Sequence, residues 1–147
     1  MPKVDPAHAL IGGLVGAVAV TLLNEGLRRV DPKAPRLEKL GMDAADKILD
    51  KAGQAPSSGE NLYWGTMAGD IISNALYYAV AASGKGKGQR TTGMGLLAGL
   101  GAVGLPKPLG LISTPTNKTG RTKLMTTAYY LIGAWVAGAV AKSLSRA

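Results

Sequence analysis

The chain has 147 residues, 21 of them glycine, and a formal net charge of +8, a length typical of a single domain. It contains no cysteine and one histidine, His8, which excludes a disulfide framework and a thiol nucleophile and makes a protein-only zinc centre unexpected. The apolar fraction of 46% excludes an intrinsically disordered chain.

The apolar residues are clustered in four runs. They predict an all-α polytopic membrane protein, one domain over 1–147, with four transmembrane helices. These spans lie at about residues 7–26, 60–83, 92–105 and 124–142. For the first run a cleaved signal peptide is the alternative, because Ala17-Val18-Ala19 resembles a cleavage site, but we expect an uncleaved span. A soluble four-helix bundle would instead carry polar residues at helical intervals, which the first and third runs lack.

The long first connection between spans predicts an additional helix at about residues 36–52. Apolar residues recur there at helical spacing, and charged residues occupy the other face. This pattern is typical of an amphipathic helix that lies on a membrane or on the bundle. Because its charges are balanced, as in the Asp43 and Lys47 pair at i, i+4, docking on the protein is favoured over attraction to anionic lipid.

A polar stripe runs along the second predicted span. At 100° per residue, its members fall within a sector of about 100°. They are Tyr63, Thr66, Asp70, Ser73, Asn74 and Tyr77. A charged Asp at the bilayer centre costs roughly 2.5–3.5 kcal/mol, so Asp70 should face the bundle interior, water or a partner. The stripe predicts a site for a proton, cation or small polar solute; alternatively, Asp70 locks the bundle, protonated or paired with a hydroxyl group or Lys107.

Two further elements lie near predicted helix ends. Glu25 precedes Arg28 and Arg29 by three and four residues, which predicts a helix-end ion cluster, with a gate or head-group contact as the alternative. After the third run, the sequence Pro106-Lys107-Pro108 interrupts apolar residues. It predicts either a re-entrant segment beside a cavity or a plain exit from the helix.

Small residues four positions apart occur in every predicted span, and such pairs allow helix backbones to approach closely. The pairs are Gly12 and Gly16, Gly65 and Gly69, Gly95 and Gly99, and Ala134 and Gly138. They predict packing within the chain or an oligomer seam.

The positions of Lys and Arg predict the orientation in the membrane. Eleven of them lie in the first and third connections and six on the other side. The positive-inside rule therefore places the first and third connections in the cytoplasm of a bacterial-type inner membrane.

The sequence contains no nucleophile set, no carboxylate pair at catalytic spacing and no set of metal ligands, so an enzyme, a cofactor and a metal site are not expected. Because the basic residues are spread over the connections and not clustered, nucleic acid is not an expected partner. The expected partners are the lipid bilayer and either further copies of the chain or another membrane protein.

Several short segments of the sequence resemble segments of small uncharacterised bacterial membrane proteins. They include Leu22-Leu23-Asn24-Glu25, Gly69-Asp70-Ile71-Ile72-Ser73-Asn74 and Leu105-Pro106-Lys107-Pro108-Leu109. The resemblance touches most of the chain and implies a four-span inner-membrane protein, without implying an activity. The leading hypothesis is an oligomeric channel-like or transporter-like protein built around Asp70. The alternatives are a structural or accessory subunit of a larger membrane complex and a lipid-interacting membrane protein. An enzyme acting on lipid would need a nucleophile and a base at the membrane interface, for which the sequence offers only scattered Ser, Thr and Tyr.

Overall fold

The computed structural model describes residues 4–54, 59–84 and 87–147, and in these ranges the chain forms helices and no strands. The helices are α1 (Pro6–Leu27), α2 (Leu37–Lys51), α3 (Gly59–Ala82), α4 (Lys87–Gly104), α5 (Thr114–Asn117) and α6 (Gly120–Arg146). The predicted all-α class is confirmed for this part of the chain. The predicted third and fourth spans are shorter than α4 and α6, because a helix continues into polar flanks that an apolar run does not include.

Polar side chains fix the starts of two long helices. The Asp5 carboxylate accepts a hydrogen bond from the Ala7 N–H at 2.7 Å, and Pro6 occupies the first turn of α1, where its missing N–H costs nothing. At the start of α6, the Thr119 hydroxyl accepts from the Thr122 N–H at 3.1 Å. These caps satisfy backbone groups that have no partner inside the helix.

Helices α1, α3, α4 and α6 form a bundle in which α1 packs between α3 and α6, and α6 packs between α1 and α4. Glycine makes this possible on α1. A Cβ atom added to Gly12 or Gly16 would lie 2.5 Å from a backbone oxygen of α6, on Ala137 and Gly133 respectively. Gly13 meets the backbone of Ala75 on α3 as closely. The α1 backbone therefore contacts both neighbours directly.

The second glycine seam joins α4 to α6. Added Cβ atoms on Gly95 and Gly99 would lie 2.8 Å from Ala134 and 2.6 Å from Thr127. Gly65 and Gly69 differ, since an added Cβ at either position would meet no neighbouring atom within 4 Å in the described part of the chain. Three of the four predicted small-residue pairs thus lie in helix contacts, and the pair on α3 lies on an open face.

The first and third connections meet at one end of the bundle. The Arg36 N–H donates to the Pro115 oxygen at 2.9 Å, and the Thr122 hydroxyl donates to the Lys33 oxygen at 2.6 Å. At the opposite end, His8 lies 3.2 Å from the hydroxyl of Ser145 near the end of α6. The helices therefore alternate in direction between two ends, and the predicted cytoplasmic connections share one of them.

Within the described residues, α1 and α6 are the two helices long and apolar enough to cross a membrane. α3 is not apolar enough because of its polar stripe. α4 is not apolar enough because it is rich in glycine and begins with polar residues. One third of the apolar window of α1 and of α6 is buried, unlike the mostly buried core helices of soluble proteins. Length and composition therefore support membrane association through α1 and α6, whereas four crossings stay a prediction.

Candidate functional site

The polar stripe of α3 faces more than one neighbour. The Tyr63 hydroxyl donates to Glu25 Oε1 on α1 at 2.9 Å, whereas the Tyr77 hydroxyl donates to the Met94 backbone oxygen on α4 at 2.5 Å. Ser73 is exposed. The six residues predicted to form the intramembrane site are therefore not brought together in one place.

Asp70, at the middle of α3, is partly buried and borders two spaces. One is a small, partly enclosed cavity of about 20 Å³ between α1, α2 and α3, and the other is an open groove of about 490 Å³ between α2 and α3. Asn74 lies beside the Asp70 carboxyl group, although its Nδ2 is not in hydrogen-bonding geometry with any described acceptor. Lys107 is exposed beyond the end of α4, and no described cation forms an ion pair with Asp70.

Polar groups from three helices line the cavity. They are Thr21, Asn24 and Glu25 of α1, Glu38 of α2, and Thr66 and Asp70 of α3. A cavity of this volume is large enough for a water molecule, which needs roughly 10–15 Å³ and two to four polar partners. The hydroxyl oxygen of Thr66 is buried and has no hydrogen-bond partner among the described residues, which is uncommon for a buried hydroxyl group. The cavity is therefore suited to a water-sized polar ligand between Thr66 and Asp70.

Glu25 is the centre of the helix-end ion cluster. Its Oε2 lies 2.8 Å from Arg28 Nη2 and 3.5 Å from Arg29 Nη2, while its Oε1 accepts from Tyr63. The structure thus brings Glu25, Arg28 and Arg29 together, as predicted from their spacing. It also joins this cluster to Tyr63 and, through the cavity, to Asp70, so the two sites predicted separately are adjacent.

Two residues of this region, Asn24 and Glu38, were not identified from the sequence as site residues. Asn24 is 4% exposed. Its side chain accepts from the Leu37 N–H at 3.0 Å and donates to Glu38 Oε2 at 2.9 Å, and Arg28 Nε lies 3.8 Å from Glu38 Oε1. The one signal in the sequence was an amide side chain in the last turn of an apolar helix, four residues before Arg28. The contact between Asn24 and Glu38 could not be predicted, because it depends on the path of residues 28–36.

The groove is lined mainly by apolar and small residues of α2 and α3. On α3 it includes Leu62, Gly65 and Gly69, and its polar members there are Asn61, Thr66, Asp70 and Ser73. The apolar face of α2 is unevenly covered, since Leu37 is buried but Ile48 is 67% exposed. The predicted amphipathic helix therefore docks on the bundle and leaves the groove open beside Asp70.

The segment Pro106-Lys107-Pro108 forms a compact turn after α4. The Leu111 N–H donates to the Pro106 oxygen at 2.8 Å, and Gly110 adopts a φ of 75°, a conformation that favours glycine. Pro106 is buried, and Lys107 and Pro108 are exposed. The chain thus leaves α4 through a compact turn at the end that carries the first connection, and the choice between a re-entrant segment and a plain exit stays a prediction.

Three carboxyl groups, those of Glu25, Glu38 and Asp70, border the same cavity. Among the described residues, no group of three His, Cys, Asp or Glu side chains is placed to hold a metal ion. The arrangement supports hydrogen bonding and proton exchange among carboxyl, hydroxyl and amide groups.

No protein-family model matches the chain, and neither the curated proteins nor the solved structures give a significant match. The resemblance to small four-span bacterial membrane proteins therefore stays a prediction.

Proposed function

We propose that the protein is a multi-pass bacterial inner-membrane protein, channel-like or transporter-like, in which Asp70 binds a proton or small cation that enters from the end carrying the first connection. The observation that carries this proposal is the position of Asp70 between the cavity and the groove. Glu25 and Glu38 border the same cavity, which has room for water, so a carboxyl group placed there can exchange a proton with that end of the bundle.

Four crossings are supported by the packing of α3 along the whole length of α1. α1 has 22 residues and a length of about 33 Å, which matches the roughly 30 Å hydrocarbon core. α3 contacts it near both ends, through Tyr63 with Glu25 at one end and through the cluster of Ala79 and Ala82 with Ala9 at the other. If α1 crosses the membrane, α3 crosses the same thickness.

The outer surface of the bundle also fits a lipid environment. Large apolar side chains are exposed on all four long helices, among them Leu10, Leu14 and Leu22 of α1, Ile72 and Leu76 of α3, Leu97 and Leu100 of α4, and Leu124 and Trp135 of α6. A soluble monomer rarely exposes large contiguous apolar patches. In a bilayer these side chains would face lipid, and the small residues would face one another.

The two halves of the bundle give Asp70 a preferred direction of access. On the side of the first connection, the cavity and the cluster around Glu25 offer polar groups. On the other side, Gly13 packs directly against Ala75 and Ala79, which leaves no space for water between these backbones. Movement of a proton through the whole bilayer would therefore need a conformational change or a path formed between copies of the chain.

The direct test is proton or cation movement into liposomes containing the purified full chain. A pH-sensitive dye and a cation-sensitive dye inside the vesicles report the two fluxes under an imposed potential. We expect flux with the parent protein, its loss in Asp70→Asn, and its retention in Asp46→Asn, which removes an exposed carboxylate of α2.

Asp70→Glu keeps an ionisable group and should retain part of the flux. Helical content and elution volume in detergent show whether each variant is folded. Absence of flux with the parent protein, or equal flux in a folded Asp70→Asn variant, would contradict the proposed function.

A second candidate function, a subunit of a larger membrane complex, is favoured by the open face of α3. Gly65 and Gly69 have the spacing of a helix-packing pair, but they face the groove, and an added Cβ at either position would meet no described atom within 4 Å. The mass of the protein after gentle extraction from its native membrane tests this function. Co-extraction of other proteins at fixed stoichiometry would support it, whereas a homo-oligomer or a monomer would contradict it.

A further inference from the structure

A second, more polar pocket lies at the end of the bundle where the first and third connections meet. Its volume is about 360 Å³, within the range of small-molecule sites. Three cationic residues line it, and each comes from a different segment: Arg36 from the first connection, Lys39 from α2, and Lys118 from the residues after α5. No acidic residue is among its lining residues. We call it the basic pocket.

The floor of the basic pocket is fixed by backbone contacts. The Arg36 N–H donates to the Pro115 oxygen at 2.9 Å, which holds the first connection against α5. The Thr116 hydroxyl donates to the Ala102 oxygen of α4 at 2.7 Å, and Pro115 and Ala34 are buried. The three cationic side chains therefore project from a closely packed base, although their ends are exposed to different degrees.

The charges of the basic pocket are not balanced by its neighbours. Asp31 is engaged by Arg121 at 2.6 Å, and Asp43 is engaged by Lys47 at 3.0 Å. Lys39 and Lys118 form no ion pair in the part of the chain that the structure describes.

The remaining cation, Arg36, makes one long ion pair, 4.0 Å to Glu38, which also contacts Arg28 and Asn24. The nearby carboxylates are thus already used by other partners, and the basic pocket keeps a positive potential.

We infer that the basic pocket binds a phosphate group. A guanidinium group matches phosphate oxygens in a bidentate manner, and ammonium groups add point charges. The Thr114 hydroxyl, which also lines the pocket, supplies a neutral donor. Basic pockets at the cytoplasmic surface of membrane proteins bind anionic lipid head groups, and a soluble phosphate ester offers the same chemistry. This site is separate from Asp70; binding of a lipid head group there rests on the proposed membrane topology, whereas binding of a soluble phosphate ester does not.

The test compares two triple variants of the full chain in detergent. The first, Arg36→Gln with Lys39→Gln and Lys118→Gln, neutralises the basic pocket and leaves the Arg36 backbone hydrogen bond intact. The matched control, Lys51→Gln with Lys142→Gln and Arg146→Gln, removes the same charge from exposed positions outside it. The probes are a short-chain phosphatidylglycerol, a short-chain phosphatidylcholine and glycerol phosphate, with binding measured by native mass spectrometry and by titration calorimetry.

We expect the parent and the control to bind phosphatidylglycerol, and the pocket variant to bind it on the order of 100-fold more weakly, from about fivefold per cation removed. Preference for phosphatidylglycerol over phosphatidylcholine and glycerol phosphate would identify a lipid head group as the source. Equal binding of glycerol phosphate would identify a soluble phosphate compound.

Two results would overturn the inference: no anion binding by the parent, or a folded pocket variant that binds as the control does. Should the triple variant fail to fold, Lys39→Gln and Lys118→Gln alone keep the inference testable, because neither side chain has an ion pair to lose.

Discussion

The seam between α1 and α6 and the space between α2 and α3 contain similar small residues but are packed in opposite ways. At the seam, Gly12 and Gly16 lie against backbone oxygens with no room for a methyl group. Beside α2, Gly65 and Gly69 face a groove. The same small-residue spacing therefore serves close packing on one side of the bundle and leaves open space on the other.

This difference separates what holds the bundle together from what gives it a site. The seam is dry and made of backbone contacts, which favour a single arrangement of the helices. The side of α2 contains Thr66, Asp70 and Ser73 of α3, the cavity and the groove, where loose packing leaves space for ligands and motion. Substitutions on the two sides should therefore differ in sign as well as in size.

The largest expected effect comes from adding a methyl group on each side. Gly16→Ala places a Cβ 2.5 Å from the Gly133 oxygen and 2.9 Å from the Ala137 Cβ, so the helices must separate. We expect a loss of about 3 kcal/mol in the free energy of unfolding, the upper end for an overpacked core. Gly65→Ala meets no neighbouring atom and should stabilise α3 by up to about 1 kcal/mol through helix propensity.

Unfolding in a denaturing detergent, followed by circular dichroism, measures both variants. Equal stability of Gly16→Ala and Gly65→Ala would show that α1 and α6 are not in close backbone contact at Gly16.

The sequence predicted the helices well because the apolar runs and the amphipathic pattern are local signals. The runs at 7–26 and 60–83 lie over α1 and α3, and the amphipathic pattern lies over α2. The glycine spacing could not distinguish Gly16 from Gly65, because which face is packed depends on where the neighbouring helix lies. That information is carried by the tertiary arrangement and not by the spacing.

The next effect in size concerns the attachment of α2. Asn24→Ala removes the acceptor of the Leu37 N–H and the donor to Glu38, and leaves both groups in a largely buried setting. Unsatisfied buried polar groups cost about 1–3 kcal/mol, so we expect a loss of about 2 kcal/mol together with release of α2 from α3. Hydrogen exchange of the α2 amides measures the release.

Asn117→Ala is the control for this change, because no side-chain hydrogen bond of Asn117 is found in the described structure and its amide is only partly buried. Exchange of the α2 amides should stay at the parent rate. Faster exchange in the control than in Asn24→Ala would mean that α2 is held by other contacts.

The sequence predicted the parts of the site within single helices but not the contact between them. Asp70 and Tyr63 could be placed on one face of a helix, and Glu25 could be paired with Arg28, since both inferences use spacing within one helix. The adjacency of Asp70 and Glu25 across the cavity joins two helices separated by a long connection. No pattern in the sequence fixes such a contact.

Tyrosine hydroxyl groups give a smaller contrast between the two sides. Tyr78 is fully buried, and its hydroxyl donates to the Tyr130 oxygen at 2.8 Å. Tyr78→Phe should cost about 1 kcal/mol because it leaves a buried carbonyl without that donor. Tyr63→Phe should cost less, since Glu25 keeps its contact with Arg28. Parallel unfolding measurements compare the two variants. A larger loss of unfolding free energy in Tyr63→Phe would show that the densely packed side does not contribute more to stability than the side of α2.

The smallest effect is a pH-dependent contact between α2 and the turn after α4. The Ile112 N–H donates to Asp43 Oδ2 at 2.9 Å, and Lys47 lies 3.0 Å from the same oxygen. The Ile112 N–H first, and then Lys47, hold the pKa of Asp43 below its ordinary value of 3.8. A lowered pKa in the folded state means that the contact stabilises above about pH 4 and is lost as the pH falls through that lower value. Because the pair is partly exposed, the gain is less than about 1 kcal/mol.

The absence of native cysteine allows this contact to be followed with two spin labels, at Asp50→Cys and Leu109→Cys. As the pH falls from neutral to below the lowered pKa of Asp43, the distance between the labels should increase because the carboxylate becomes protonated. Asp43→Asn should give the longer distance already at neutral pH and remove most of the pH response. A distance that does not change with pH in the labelled parent would show that apolar packing, and not the Asp43 carboxylate, holds this end of α2. The groove beside Asp70 would then keep its width in acid, so pH could act on the site only through the carboxyl groups that border the cavity.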